Sequence, residues 1–584
     1  MPRALVVGLL LLLPWANAFA SGACAVEYRF TADWSAQQRR FHVDLLFDAG
    51  GRTGTDLGIA QQWGPVTDFE RAIRDVRPIA PSAVVAPGRD ARTWSVDHPA
   101  HARVHVRYDV LNDVANVDAT SALSGVDFFR TMLGATWFQF YGWGTVLLPE
   151  SLDPDAPMPV CLRFSGLPRH WSFATSHGEG RRSGDSIEIR TTASLHELQS
   201  AIYLGGDFRV YRREVRGRPV VVALRGEWKF ADERLVDETA SLVRAERAFW
   251  DDYAFPHFLV SLIPNRIQQG MWGGTGLHLS FAMHAADDFV VPGPQFDTLI
   301  AHEHLHTWIP RRIGTMGEEE SRDYWFSEGF TDYLTHRLLV SSGRWSLEDY
   351  ARGLDEQILR YESSAARGEP NAWVAKEFWK DPAAQRMPYL RGEMLALRWS
   401  SAMSGRGASL QSTLRSLRLP ADAREERHGL HPERLAVQRL AAALRASLGE
   451  AADRDIERYV RDGKAIPIGA DFLGPCFDGR PVARPLFELG WSETATTTSR
   501  RLTGLVAGSA AQKAGLRDGM HVVGWSIYRG DTTKDVLVQV QDANDKVREF
   551  RYRAVAARPI EVYEFRPRPG ASGESACRDW IEAR

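Results

Sequence analysis

The stretch His302-Glu303-His304-Leu305-His306 leaves the chain few ways to fold around it. Histidines four apart share one face only on an α-helix, because 3.6 residues make a turn. The flanks agree with a helix. Gly293-Pro294 is a start signal, Leu299, Ile300, Leu305 and Trp308 recur at helical spacing, and Pro310 ends the run. Two imidazoles so placed ligate one Zn²⁺, and Glu303 stands where it takes a proton from a water at the metal. His304 points roughly 200° around the helix from His302, so packing or solvation is expected of it rather than ligation.

A catalytic zinc takes three protein ligands and keeps a fourth position open. Glu328, in Tyr324-Trp325-Phe326-Ser327-Glu328-Gly329-Phe330-Thr331-Asp332-Tyr333-Leu334, supplies the third. Asp332 lies one helical turn further along the same face, where it accepts the other N–H of a zinc-bound histidine and fixes its tautomer. His302, His306 and Glu328 are therefore the expected ligands of one zinc per chain. Glu303 is the expected general base and Asp332 the orienting carboxylate.

The run Trp325-Phe326-Ser327-Glu328-Gly329-Phe330-Thr331-Asp332-Tyr333 resembles the third-ligand helix of the gluzincin metallopeptidases and, more narrowly, of the glycyl aminopeptidase family. The resemblance implies a multidomain α+β chain. Its parts are a β-rich N-terminal domain, a thermolysin-like, mostly helical catalytic domain with a small sheet, and a C-terminal PDZ domain of β-barrel-like form. It implies peptide-bond hydrolysis by zinc-activated water. It also gives a role to Pro388-Tyr389-Leu390-Arg391-Gly392-Glu393, which is similar to the family's Tyr-x-x-Gly element: the Tyr389 phenol donates a hydrogen bond to the oxyanion. Gly273 to Phe281 falls where the family holds an edge strand that takes the substrate backbone. A Glu in that strand binds the substrate's free amine in the family, and this sequence has none between Gly273 and His284. Either a carboxylate from elsewhere substitutes, with Asp287, Asp288 and Glu318 as candidates, or the site does not demand a free amine.

The remaining sequence sets the domain plan. Met1-Pro2-Arg3, the apolar run Ala4 to Pro14 and Ala18-Phe19-Ala20 read as a signal peptide over 1–20 with Ser21 the first mature residue. The run is too short for an ordinary membrane span. Export to a bacterial periplasm is expected. Lipoprotein anchoring through Cys24 is not, because Ser21-Gly22-Ala23-Cys24 lacks the usual Leu three residues before the Cys. Short β-type runs, among them Val104–Val110, Thr145–Leu148, Pro159–Phe164 and Pro219–Leu224, suggest a β-sandwich-like domain over 21–228. The aromatic cluster Trp137, Phe138, Phe140, Tyr141 and Trp143 is expected to be core. The catalytic domain is expected over 229–470. Leu505 to Met520 looks like part of a PDZ domain, placed at 471–566, with a short helix at Ala510 to Ala514 following a strand and a tail at 567–584. Of three conceivable pairings of the four cysteines, the domain-wise one joins Cys24 to Cys161 and Cys476 to Cys577. Net charge −3 gives no electrostatic argument for nucleic acid. The expected partners are peptide or protein substrates, with the PDZ domain taking a polypeptide segment. Two other readings fit the same residues: a PDZ-guided endopeptidase without a free-amine requirement, and a catalytically inert peptide-binding scaffold.

Overall fold

The computed structural model describes residues 24–582 except 36–37, 120–122, 124, 266–271, 421–433, 529 and 572–573. The expected signal peptide lies outside the described residues. The chain divides into two compact units. The first comprises Met1–Tyr211, Val221–Glu227 and His257–Asp288; the second comprises Arg212–Val220, Trp228–Pro256 and Phe289–Arg584.

The first unit is β-rich. A seven-stranded sheet runs Arg181–Ser183, Ser186–Ala193, Met158–Ser165, Val26–Trp34, Arg39–Asp48, Arg103–Leu111, Ile73–Pro78. The Val26–Trp34 strand is parallel to Met158–Ser165 and antiparallel to Arg39–Asp48. Every second residue points inward, as a strand's period of two requires: Val26, Tyr28 and Phe30 are buried, as are Val104, Val106, Tyr108 and Val110. Two four-stranded sheets complete this core, and the expected aromatic cluster from Trp137 to Trp143 is buried within it. Cys24 and Cys161 are disulfide-bonded, with Cα atoms 5.8 Å apart.

One expected strand is not there. Thr145 to Leu147 is irregular, and only Leu148–Pro149 pairs. Its buried carbonyls are met by side chains instead: the Tyr28 hydroxyl donates to Leu147 O (2.8 Å) and the Tyr108 hydroxyl to Thr145 O (3.0 Å). A short apolar run needs burial and satisfied backbone groups, and phenols meet that need without a ladder.

The first unit also contains strands Phe258–Pro264, Trp272–Leu277 and Ser280–Ala285. The last lies between the other two, parallel to the first and antiparallel to the second. Trp272–Leu277, the glycine-rich stretch, is an edge strand.

The second unit is mostly helical. Its large core gathers Leu305, Trp308, Trp325, Phe330, Tyr333, Met394 and Trp399 among others. The antiparallel strands Phe477–Arg484 and Ile560–Pro567 contribute Phe477, Val562 and Phe565 to the same core. So does helix Ser575–Glu582 through Cys577 and Trp580, with Cys577 disulfide-bonded to Cys476 at a Cα separation of 5.0 Å. A smaller core spans Trp491 to Ala554 around an open three-stranded antiparallel sheet, His521–Ser526, Asp535–Gln541 and Val547–Arg553. The described strands do not close into a barrel. Helix Ala510–Lys513 is present, but the strand expected before it is irregular. The Leu505 N–H donates to the Asp518 carboxylate and the Val506 N–H to Gly490 O. Among the described residues no helix is long and apolar enough to cross a membrane.

Candidate metal centre

Helix Pro294–Leu305 starts as the sequence implies, with Gly293 at its N-cap and Pro294 in its first turn. His306 is the C-cap residue and keeps helical torsions (φ −60°, ψ −13°), so the one-turn relation between His302 and His306 survives to the end of the helix. Glu328 stands between two helical segments, Tyr324–Ser327 and Gly329–Ser341. The Asp332 N–H donates to Glu328 O at 2.9 Å, which keeps both carboxylates on one face.

The side chains converge. One donor atom each from His302, His306 and Glu328 lies within 4.8 Å of the others. His302 Nε2 is 3.2 Å from Glu328 Oε2, and His306 Nε2 is 3.4 Å from the same oxygen. The far nitrogens are taken: His302 Nδ1 donates to Asp332 Oδ1 at 2.7 Å, and His306 Nδ1 donates to Ile309 O at 3.0 Å. With Nδ1 the N–H on both rings, two Nε2 lone pairs face each other at 3.1 Å beside a carboxylate. That arrangement is repulsive unless a proton or a metal ion lies between them. Two imidazole nitrogens and one carboxylate oxygen, with their rings fixed by a carboxylate and a carbonyl, form a donor set suited to zinc.

Electrostatics follow from burial and these contacts. Burial opposes the charged form of His302, but Asp332 and Glu328 outweigh it and hold the imidazole well above its ordinary value. Burial likewise opposes ionisation of Glu328, which His306 and His302 overcome. Burial pushes the Glu303 carboxyl up, against His302 and His306. The Tyr389 phenol is pushed well above its usual range by burial and then by Glu328, Asp332 and Glu303, so it stays a donor. Its ring stacks on His302 with centroids 6.0 Å apart.

Tyr389 reaches this place through glycine. Its helix, Pro382–Ser404, crosses the ligand-bearing segment at Gly392, one turn after Tyr389. A Cβ on Gly392 would stand 1.8 Å from Trp325 O, and one on Gly329 would stand 2.4 Å from the Gly392 Cα. Only two glycines allow this approach. The Tyr-x-x-Gly element is thus one device: the glycine sets the crossing and the tyrosine, a turn away, is delivered beside His302.

His304 is core, as its angle implies: its Nδ1 is 2.6 Å from Glu246 Oε2, with both side chains about 1 % exposed. A third buried pair joins His336 Nδ1 to Glu393 Oε1 at 2.6 Å. Sequence reasoning missed Glu246, His336 and the Gly329–Gly392 crossing. His336 carried a signal, four residues beyond Asp332 as Asp332 is four beyond Glu328; Glu246, on helix Asp232–Trp250, carried none. Of the candidates for an amine-binding carboxylate, Glu318 is exposed in its loop.

Residues 295–380 match the model of the M61 glycyl aminopeptidase family. This segment contains His302, Glu303, His306, Glu328 and Asp332, and ends before Tyr389. No curated protein sequence matches the chain. Its fold is similar to that of an aminopeptidase N family protein from Idiomarina loihiensis, at 14% identity and TM-score 0.68 over 95% of this chain and 100% of that one. An M1 zinc metallopeptidase from Deinococcus radiodurans is similar at 15% identity and TM-score 0.49, over 76% of this chain and 95% of that one.

Proposed function

We propose that the protein is a zinc-dependent peptidase that hydrolyses peptide bonds, with one zinc per chain held by His302, His306 and Glu328. The observation that carries this reading is the convergence of their three donor atoms while Asp332 and the Ile309 carbonyl engage the far imidazole nitrogens. The M61 match over the ligand-bearing segment supports it. Zinc bound there supplies a Lewis acid and a water whose pKa falls to about 7. The Glu303 carboxylate takes the proton of the attacking water and later hands it to the leaving amine; a raised carboxyl suits both tasks. The Tyr389 hydroxyl donates to the oxygen of the attacked carbonyl as charge gathers there. Asp332 holds His302 in its Nδ1–H tautomer and so keeps Nε2 available.

Two disulfides fit an exported protein in an oxidising compartment. The segment 471–566 is proposed as a PDZ-type unit that takes a polypeptide segment, supported by the separate core within it from Trp491 to Ala554 and by its short helix. Digestion of a peptide library by the zinc-loaded protein, with and without chelator, tests the central reading. Chelator-sensitive cleavage at internal or terminal bonds is the expected result. Tight peptide binding without any cleavage by a fully zinc-loaded sample overturns it in favour of an inert scaffold.

A further inference from the structure

The helix that carries Asp332 and the helix that carries Tyr389 are tied together one turn beyond both residues. His336 follows Asp332 by one turn on helix Gly329–Ser341, and Glu393 follows Tyr389 by one turn on helix Pro382–Ser404. His336 Nδ1 and Glu393 Oε1 are 2.6 Å apart, and both side chains are buried. Glu393 comes directly after Gly392, whose crossing with Gly329 leaves no room for a methyl. The Trp345 ring stacks on His336 with centroids 5.4 Å apart and fixes its plane. A second tie between these helices, the Tyr333 hydroxyl donating to Ser400 Oγ at 2.8 Å, lies about two turns further from Tyr389.

Two features give this pair a task beyond filling the core. Glu393 Oε2 is buried with no hydrogen-bond partner among the described residues. A half-satisfied buried carboxyl costs free energy, and apolar residues of the same volume often pack there as well or better. Fixing register is the best-attested use of a buried polar pair that stability does not explain. The other feature is Pro388, which stands inside the helix directly before Tyr389. It has no N–H for the helical bond and loosens the turn that leads into Tyr389. The phenol is then held from its C-terminal side, where Gly392 limits how far the helices approach and Glu393 limits how they slide.

We propose that His336 and Glu393 are positioning residues of the metal centre: their hydrogen bond locks the register of the two helices and so sets the Tyr389 hydroxyl against the oxygen of the attacked carbonyl. This deepens the peptidase reading and rests on it. A slip of helix Pro382–Ser404 carries Tyr389 with it while His302, His306 and Glu328 stay in place. Loss of the bond therefore falls on turnover, not on zinc content or substrate affinity. A misplacement on the order of 1 Å costs up to about 10²-fold in rate. His336 also lies in the field of Asp332: burial opposes its charged form, and Glu393 and then Asp332 outweigh that. A charge effect passed through Asp332 to His302 is the competing account, and a substitution that keeps the bond but removes the charge separates the two.

The test uses zinc-loaded full chain and one readily cleaved peptide, with kcat and KM measured per bound zinc. Glu393→Met removes the hydrogen bond. His336→Phe combined with Glu393→Met removes it without leaving a buried polar group, and serves where the single variant fails to fold. Either should lower kcat about tenfold with KM and zinc content near wild type. Glu393→Gln keeps an acceptor for His336 Nδ1 and should recover most of the lost turnover. In a Tyr389→Phe background the bond-breaking substitutions should cost less than about twofold, because the phenol they displace is already gone. Wild-type kcat in the variants that lack the bond, or the full loss persisting beside Tyr389→Phe, overturns the positioning role, as does loss of zinc from a folded variant. A Gln variant as slow as the Met variant overturns register in favour of charge acting through Asp332. Failure of the zinc-loaded wild type to cleave any peptide overturns the peptidase reading itself.

Discussion

Two histidines on one helix carry the same hydrogen bond to opposite ends. His302 holds Asp332 at 2.7 Å, and His304, two residues on, holds Glu246 at 2.6 Å. Both imidazoles are buried. The difference lies beyond the bonded carboxylate. His302 turns its other nitrogen toward His306 and Glu328, and the two acidic groups around it outweigh the cost of burying charge. His304 lies edge-on to Trp308 with Arg247 nearby, so burial first and that cation second favour its neutral form. An imidazole–carboxylate pair is thus not in itself a site. It is one where the remaining nitrogen meets other donors, and it is packing where that nitrogen lies in the core.

The sharpest way to break this comparison is to remove one member of each face. His306→Ala should bring zinc from about one per chain to near zero and abolish hydrolysis, whereas His304→Ala should keep zinc. Metal analysis of the two purified variants decides it; full zinc in the first, or none in a folded sample of the second, would reverse the assignment of faces.

Glu303 lies between the two faces in sequence but ligates nothing in this arrangement. Glu303→Gln should retain zinc and the wild-type melting temperature while turnover falls by about 10² or more. Turnover near the wild-type rate in a zinc-loaded sample would move the base elsewhere.

How much of this was legible follows the range of the interactions. The ligand face of helix Pro294–Leu305 is a matter of angles within one helix, so spacing alone separated His302 and His306 from His304. The Glu328–Asp332 relation is likewise one helical turn. What the sequence hid is what two helices share. That Glu246 faces His304, or that Gly329 and Gly392 touch, depends on packing between segments far apart in the chain. The strand expected at Thr145–Leu148 failed for a related reason: tyrosines from distant strands satisfy the backbone there. The pairs Cys24–Cys161 and Cys476–Cys577 follow the domain-wise expectation.

The glycine crossing gives the next test, since it ties the ligand face to Tyr389. Gly392→Ala would set a methyl against Trp325 O and the Gly329 Cα, contacts that only a shift of the helix relieves. Overpacking of this kind costs about 2–3 kcal/mol. Chemical denaturation should show that loss, and any folded fraction should have lower kcat than Gly392's neighbour variant Arg391→Lys. Unchanged stability would mean that the crossing is looser than the backbone contacts imply.

On the packing face, burial pushes the Glu246 carboxyl well up toward its neutral form, and Glu246→Gln keeps the shape of the side chain while replacing that carboxyl by an amide. It should lower stability by about 1 kcal/mol, the order of one net hydrogen bond, with zinc stoichiometry unchanged. Zinc loss from the folded variant would show that the two faces of the helix are coupled rather than separate.

The smallest expected effect concerns a charge that arrives with the substrate. A substrate ammonium is costly to bury without a partner, by several kcal/mol. The family resemblance implies a Glu in the strand that takes the substrate's amine. The edge strand Trp272–Leu277 carries none, and His278, just after it, repels an ammonium when protonated. An amine that meets no carboxylate loses nothing when it is acetylated. Acetylated and free-amine peptides of one sequence should therefore be cleaved within about tenfold of each other, a gap of about 1.4 kcal/mol in transition-state binding. A thousandfold preference for free amines would mean that a carboxylate from outside the strand, with Asp287, Asp288 and Glu318 the first to substitute, supplies the missing partner.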